Sequence, residues 1–459
     1  MIKKFFGDKK FYKMVLAVAI PIIVQNGISN FVNMLDNIMV GQVGTEQMSG
    51  VSIVNQLMFV FNLALFGAVS GPGIFTAQYV GQKNNEGVRY TIRFKLIMSV
   101  VLSVLGVSIF ILFKDNLIMM FLHDNNEGLD LTRTLGYAKE YLMAMLFGLF
   151  PFAITCSYAS TLRESGETNV PMVAGLIAVG VNLVFNYILI FGHFGAPKLG
   201  VVGAAVATVI SRFVELFIVV FWTHKHKERA AFAVGLYKGF HIPGQLSKKI
   251  IITGFPLFIN EFFWSLGMSM VTQCYSMRGL EVIAAFNISN TIVNLFNVVL
   301  ISMGSVVAII IGQQLGSGDT EAVVDTDRKL ITLGVLSSAV LGIILIIMAP
   351  LFPRFYNTTD SIRNLSVELM RVAAIFMPVG SYLNCAYFTI RSGGKTFITF
   401  LFDSAYLWVI CWPIAFVLSR YTGMTIIPMY ITILSLDFIE VVIGAILLKK
   451  RIWIKSLVA

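Results

Sequence analysis

Charge is scarce in this chain. Asp, Glu, Lys and Arg make up 13% of its 459 residues, where a soluble domain carries about 25%. So few charges could not cover a water-facing surface of this size. Cysteine and histidine are scarce too, at four and five residues. Cys156, Cys274, Cys385 and Cys411 each lie in an apolar run without a C-x-x-C pair, which reads as buried thiols and not as a disulfide framework or metal site. No G-x-x-x-x-G-K-[ST] loop, H-E-x-x-H helix or G-x-S-x-G elbow occurs. ATP drive by this chain and an enzymatic activity are therefore not expected.

What the chain has is apolar sequence, 57% of it, with a mean hydropathy of +0.82. A helix that spans a bilayer needs about 20 mostly apolar residues, and such stretches recur almost throughout. Twelve helices are expected, near 14–40, 50–80, 94–113, 135–161, 169–191, 200–223, 249–277, 283–312, 329–351, 364–390, 397–419 and 426–448. The basic start, Lys3, Lys4, Lys9, Lys10 and Lys13, resembles a signal peptide, but the run that follows is too long and too polar for one.

The net charge of +10 could suit nucleic acid, yet Lys and Arg gather at the ends of apolar segments, where they orient a membrane protein. With the N-terminus inside, 24 of them fall in inner connections and termini and 9 in outer ones, with Arg212 inside a span. An even helix count puts both termini on the basic, cytoplasmic side of a cell membrane. The longest inner connection, 225–249, separates an N-terminal six-helix bundle, 1–224, from a C-terminal one, 250–459.

The halves repeat. A shift of 235 pairs Pro21 with Pro256, Gly44 with Gly279, Asn55 with Asn290, Asn62 with Asn297, Gln78 with Gln313, Gly81 with Gly316 and Arg93 with Arg328. A shift of 228 pairs Arg163 with Arg391, Gly166 with Gly394 and Thr168 with Thr396. Six helices per half give parallel repeats, as in transporters whose substrate path runs between rocking halves.

Polar groups at membrane depth are costly and mark cavities or partners. The first helix has the widest polar face: Gln25, Ser29, Asn33 and Asp36 step by three or four residues, with Asn26, Asn30 and Asn37 alongside. Asp36 is the sharpest candidate. A carboxylate that is costly when empty and relieved by a proton or a bound cation can couple ion entry to a conformational change. Asn182 and Asn186, one turn apart on the fifth helix, could complete a Na⁺ or H⁺ site beside it, or could simply pack. In the second half Glu261 and Asn260 lie near the midplane of helix seven, beside Trp264. Asn287 and Asn290 belong to a stripe on helix eight, and Asp403 lies on helix eleven. A carboxylate beside aromatic rings suits an organic cation. Asp437, Glu440, Arg212 and Glu215 read as helix-pairing or interfacial groups.

The run Asn182-Leu-Val-Phe-Asn186, then Gly195-Ala-Pro197 and Gly203-Ala-Ala-Val-Ala-Thr208, resembles the multidrug and toxic compound extrusion (MATE) family, as does the opening segment from Pro21 through Met34-Leu-Asp36 to Gly41 and Gly44. The resemblance covers nearly the whole chain. It implies an all-α membrane fold of two pseudo-symmetric six-helix bundles in a V, and antiport of drugs or metabolites against H⁺ or Na⁺. Asp36 matches the family's first-helix aspartate and Asn182 an asparagine that accompanies it. Asn186 stands where some members have a second aspartate. The tenth helix has Gly380 and Asn384 but no aspartate, and Asp403 can substitute. The expected partners are small, cationic organic substrates and the bilayer, not nucleic acid. The only expected cofactor is the coupling cation, and a monomer is expected. A lipid-linked saccharide flippase could share the architecture, but it should line its cavity with basic residues.

Overall fold

In a computed structural model of the chain, residues 5–121, 131–239, 241–356 and 358–458 are described; the side chains of Asn33, Met34, Asn37, Ile38, Thr45, Leu280 and Thr320 lie outside that description. The expectations placed on Lys3, Lys4, Asn33 and Asn37 therefore fall outside the described residues. The helices are α1 (Lys9–Gly41), α2 (Thr45–Gly81), α3 (Asn85–Met119), α4 (Leu131–Glu164), α5 (Asn169–Phe191), α6 (Val201–Lys225), α7 (Gly244–Ser276), α8 (Leu280–Ser317), α9 (Thr320–Met348) and α10 (Asp360–Ser392). Then follow α11 (Thr396–Phe400), α12 (Trp412–Tyr421), α13 (Ile426–Ser435) and α14 (Asp437–Lys449). No strand occurs among the described residues, and twelve segments are long and apolar enough to cross a membrane.

Most helices outrun the apolar stretches that announce them. α3 starts nine residues before 94 because Asn84 caps it, its side chain accepting from Gly87 N at 2.9 Å. The cap recurs in the repeat: Asp319, 235 positions on, accepts from Ala322 N at 3.1 Å and starts α9. Each cap satisfies an amide that the first turn leaves without a partner.

The last two spans are irregular. Between α11 and α12 the eleventh span, Thr396–Tyr421, runs as π-helix over Leu401–Ala405 and Leu407–Cys411. π-Helical turns are uncommon and concentrate at functional sites. The twelfth span breaks between α13 and α14, and Tyr406 Oη donates to the Leu436 carbonyl there at 2.6 Å. That bond pairs one of the backbone oxygens which a broken helix leaves exposed to hydrocarbon.

The chain divides into two compact units. We call Val24–Thr76 with Asn84–Ile250 the N-terminal unit, and Met1–Ile23 with Ala77–Lys83 and Ile251–Ala459 the C-terminal unit. Two short stretches of the first half thus belong with the second. One reason is visible at the end of α2: a Cβ on Gly81 would collide with the Gln313 carbonyl, and a Cβ on Gly316 with the Gln78 carbonyl. The residues that pair in sequence also pair reciprocally in space, with backbones touching because both positions lack a side chain.

Segments beyond the spans are tied down as well. In the N-terminal unit, Arg93 donates from Nε to Leu236 O at 2.9 Å and from Nη2 to Gly235 O at 2.8 Å, fixing the long connection. In the C-terminal unit, Gln78 Nε2 donates to Ser392 O at 2.9 Å while its Oε1 accepts from Leu457 N at 2.7 Å. Trp453 is buried beside that strap. The outward surface of the spans is apolar: Leu112, Phe147 and Ile347 are 75%, 74% and 72% exposed. In water such a surface would be driven into contact with another, whereas hydrocarbon accepts it.

Candidate functional site

Each unit holds one cluster of carboxyl and amide side chains at membrane depth. In the N-terminal unit α1, α5 and α6 supply it. Asn182 and Asn186 sit one helical turn apart, so both point to the same side of α5, and both are buried. Asn186 Nδ2 donates to Asp36 Oδ1 at 2.7 Å and to Asn182 Oδ1 at 3.2 Å. Asn182 Nδ2 donates to Thr208 Oγ1 on α6 at 3.2 Å, and that hydroxyl donates in turn to Ala204 O at 3.0 Å. No ion pair to Asp36 occurs among the described residues. Arg212 is within electrostatic reach, but it pairs with Glu215 at 3.4 Å and stacks over Phe152 at 4.4 Å.

The Asn182 amide satisfies both of its ends in one orientation only. Turned by half a rotation, its nitrogen donates to Asp36 Oδ1 and Oδ2 at 3.0 Å each, and its oxygen accepts from Thr208 Oγ1 at 3.2 Å. The nitrogen-first setting suits an ionised carboxylate. In the opposite orientation two acceptor oxygens would face each other and repel. Asn186 Oδ1 is buried with no partner and is a further acceptor in the cluster. Among the described residues no group of three His, Cys, Asp or Glu could hold a metal ion. The cluster is thus one carboxylate with amide oxygens, a set suited to a singly charged cation or a proton.

In the C-terminal unit the hub is Asn260, which is 1% exposed. Its Nδ2 donates to Asp403 Oδ2 at 2.7 Å and to Tyr387 Oη at 3.2 Å. Its Oδ1 accepts from Ser404 Oγ at 2.7 Å. Tyr387 Oη donates to Glu261 Oε1 at 3.4 Å, and Arg391 is within electrostatic reach of Glu261. Glu261 therefore has local partners, an Arg and a Tyr. The π-helical stretch brings Asp403 and Ser404 together onto Asn260 although they are neighbours in sequence. Asn260→Ala is expected to cost about 2–4 kcal/mol, because it strands the buried Asp403 and Ser404 together. Thermal unfolding of the purified chain in detergent checks this, and an unchanged melting point would mean that the hub does not hold these helices.

Other residues lie elsewhere. Gln25 is not at Asp36: its Nε2 donates to Pro171 O at 3.2 Å and its Oε1 accepts from Arg163 Nη1 at 3.3 Å. Eleven residues separate Gln25 from Asp36, about 16 Å along a helix. Asn33 lies outside the described side chains. Asn287 and Asn290 are exposed on α8, as is Asn294. Asn55, the repeat partner of Asn290, and Asn62, the repeat partner of Asn297, are exposed on α2 too. Amide stripes facing hydrocarbon are costly. Glu440 is buried and within electrostatic reach of Asp403 and Asp437, which joins the broken twelfth span to the second cluster. Tyr387 had no signal in the sequence; Thr208 closes the motif run Gly203–Thr208 and Ser404 follows Asp403, but neither was singled out as a site residue.

Comparisons with known proteins converge. A family model described as MatE matches residues 21–188 and 256–418. A probable multidrug resistance protein NorM of Thermotoga maritima is 28% identical over 427 residues, 92% of this chain and 89% of the relative. The multidrug resistance protein NorM of Vibrio cholerae is 25% identical over 428 residues, 92% and 90% of the two chains. A multidrug resistance MATE family transporter, solved in an outward-facing conformation, superposes with a TM-score of 0.84 at 19% identity, covering 98% of this chain and 97% of that one.

Proposed function

Because the chain belongs to the MatE family, a family of transporters and not of enzymes, we propose that it is a secondary-active exporter that moves small organic cations or metabolites out of the cell against inward H⁺ or Na⁺. It is a multi-pass membrane protein. In this reading it lies in the cell membrane with both termini cytoplasmic, works as a monomer, and alternates access between the two sides.

The observation that carries the coupling is Asp36, held by neutral amides with no basic partner among the described residues. A permanent Arg or Lys would neutralise it in every state. Neutral amides leave its charge to be settled by the ion. Occupancy can then favour one conformation over the other, which is what coupling requires. The exposed Asn stripes supply water-facing walls, and Glu261 and Asp403 supply negative charge for a cationic substrate. The flippase alternative finds no support: the named relatives are multidrug resistance proteins, and both clusters are acidic and amide-rich.

The test is transport of a fluorescent organic cation by the purified chain in liposomes under an imposed H⁺ or Na⁺ gradient. Uptake against a gradient of the dye is expected with one of the two ions. Movement with neither, or a strict dependence on ATP, would sink the reading.

A further inference from the structure

The repeat places an equivalent threonine in each half, and the two threonines have opposite neighbours. In the N-terminal unit Thr161 Oγ1 donates to Ser157 O, one turn back, at 2.9 Å, and accepts from Lys95 Nζ at 3.2 Å. In the C-terminal unit its partner under the 228 shift, Thr389, reaches Cys385 O one turn back at 3.0 Å. Its second contact is Asp327 Oδ1 at 2.5 Å. Ser157 and Cys385 are themselves paired by the shift.

A hydroxyl carries one hydrogen. In the first half it goes to the backbone, and the lone pair takes a hydrogen from an ammonium. In the second half Thr389 Oγ1 has two acceptors, Cys385 O and Asp327 Oδ1, within reach of that one hydrogen. The position facing the threonine lone pair calls for a donor, and Asp327 is a donor only when it holds a proton.

Charge balance leads to the same place. Lys95 is neutralised by Glu164 at 2.5 Å, but the shift replaces Glu164 by Ser392. Asp327 is 5% exposed and has no ion pair among the described residues. An ionised carboxylate buried without a counter-charge is costly, and a proton removes the cost. A metal ion would need several oxygens, and Thr389 offers one.

We propose that Asp327, closed in by Thr389, is a proton-binding site of the C-terminal unit, separate from the Asp36 cluster, which takes up and releases one proton in each transport cycle. This rests on the reading of the chain as an ion-coupled exporter. The acid donates to Thr389 Oγ1, which passes its own hydrogen to Cys385 O. The titratable and charged groups within electrostatic reach of Asp327 are Arg328 on its own helix and Tyr382 and Cys385 on α10. α8 adds the neutral Gln314, which donates to Thr326 Oγ1 at 3.1 Å.

Asp327→Asn keeps the shape and mimics a permanently protonated acid. The first readout needs no transport: infrared spectra of the purified full-length chain should show a carboxylic-acid C=O band, shifted in heavy water, that vanishes in Asp327→Asn and persists in Asp36→Asn. The second is efflux in liposomes, where Asp327→Asn should lose at least about tenfold of the stimulation by an imposed pH gradient while folding as the wild type does. Thr389→Val, which removes the hydroxyl without removing the acid, should alter the band and the pH profile, and Thr389→Ser should restore both. If no such band depends on Asp327, or the variant keeps the wild-type response to pH, the proposal is overturned. A silent Asp36→Asn variant would instead undo the Asp36 reading, and the infrared result at Asp327 would stand apart from it.

Discussion

Asp36→Asn is expected to abolish export, leaving cells as drug-sensitive as those without the transporter, while the protein reaches the membrane in normal amount. The side chain keeps its size, and its contacts with Asn186 at 2.7 Å and with the Asn182 amide can be rebuilt by turning the amides. Folding should therefore survive. What disappears is the charge whose occupancy distinguishes one conformation from the other. A ligand that binds two states equally shifts nothing between them. Coupling energies between sites are typically about 1–3 kcal/mol, so losing one abolishes up to about 100-fold of driven transport at ~1.4 kcal/mol per decade. The measurement is ion-driven dye transport per molecule of protein in liposomes. Passive exchange of dye down its own gradient should persist, since the cavity remains. Wild-type driven transport by Asp36→Asn would remove this carboxylate from the mechanism.

Much of this site could be read before any fold was known, for a physical reason. Asp36, Asn182 and Asn186 are polar in segments that otherwise have to dissolve in hydrocarbon, and each such residue stands out against its neighbours. Asn182 and Asn186 also share a helix, so their common face follows from spacing alone. The spans were legible because a bilayer imposes a length. Thr208 and Tyr387 were not legible, since hydroxyls are tolerated anywhere in a helix and only packing brings them to a carboxylate. Asp327 was hidden differently. It lies in the charged stretch Glu321–Lys329 at the start of a span, where charges usually meet water, and only the fold shows it turned inward. Gln25 misled because a stripe on one helix face extends over several turns, while a site occupies about one.

The pocket opposite Asp327 in the repeat carries the second large expected effect, on stability and not on coupling. Lys95 is fully buried, and its Nζ donates to Ser160 Oγ at 3.0 Å, to Thr161 Oγ1 at 3.2 Å and to Glu164 Oε2 at 2.5 Å. It ties α3 to α4. Lys95→Met fills the same space but takes the ammonium away from Glu164, whose side chain is only 15% exposed. Removing one partner of a buried pair costs up to about 3–5 kcal/mol, whereas replacing both by apolar residues is often neutral. Lys95→Met should therefore melt far below the wild type and accumulate poorly in the membrane, and Lys95→Met with Glu164→Leu should recover most of the loss. Both variants should transport at the wild-type rate per folded molecule, because the pair holds helices together and binds no ion. Thermal unfolding in detergent, with transport normalised to folded protein, separates the two effects. If the double variant proved no better than the single one, the pair would not be a closed ion pair. The contrast with Asp327, which lies against the paired threonine Thr389 without a counter-charge, would then lose its basis.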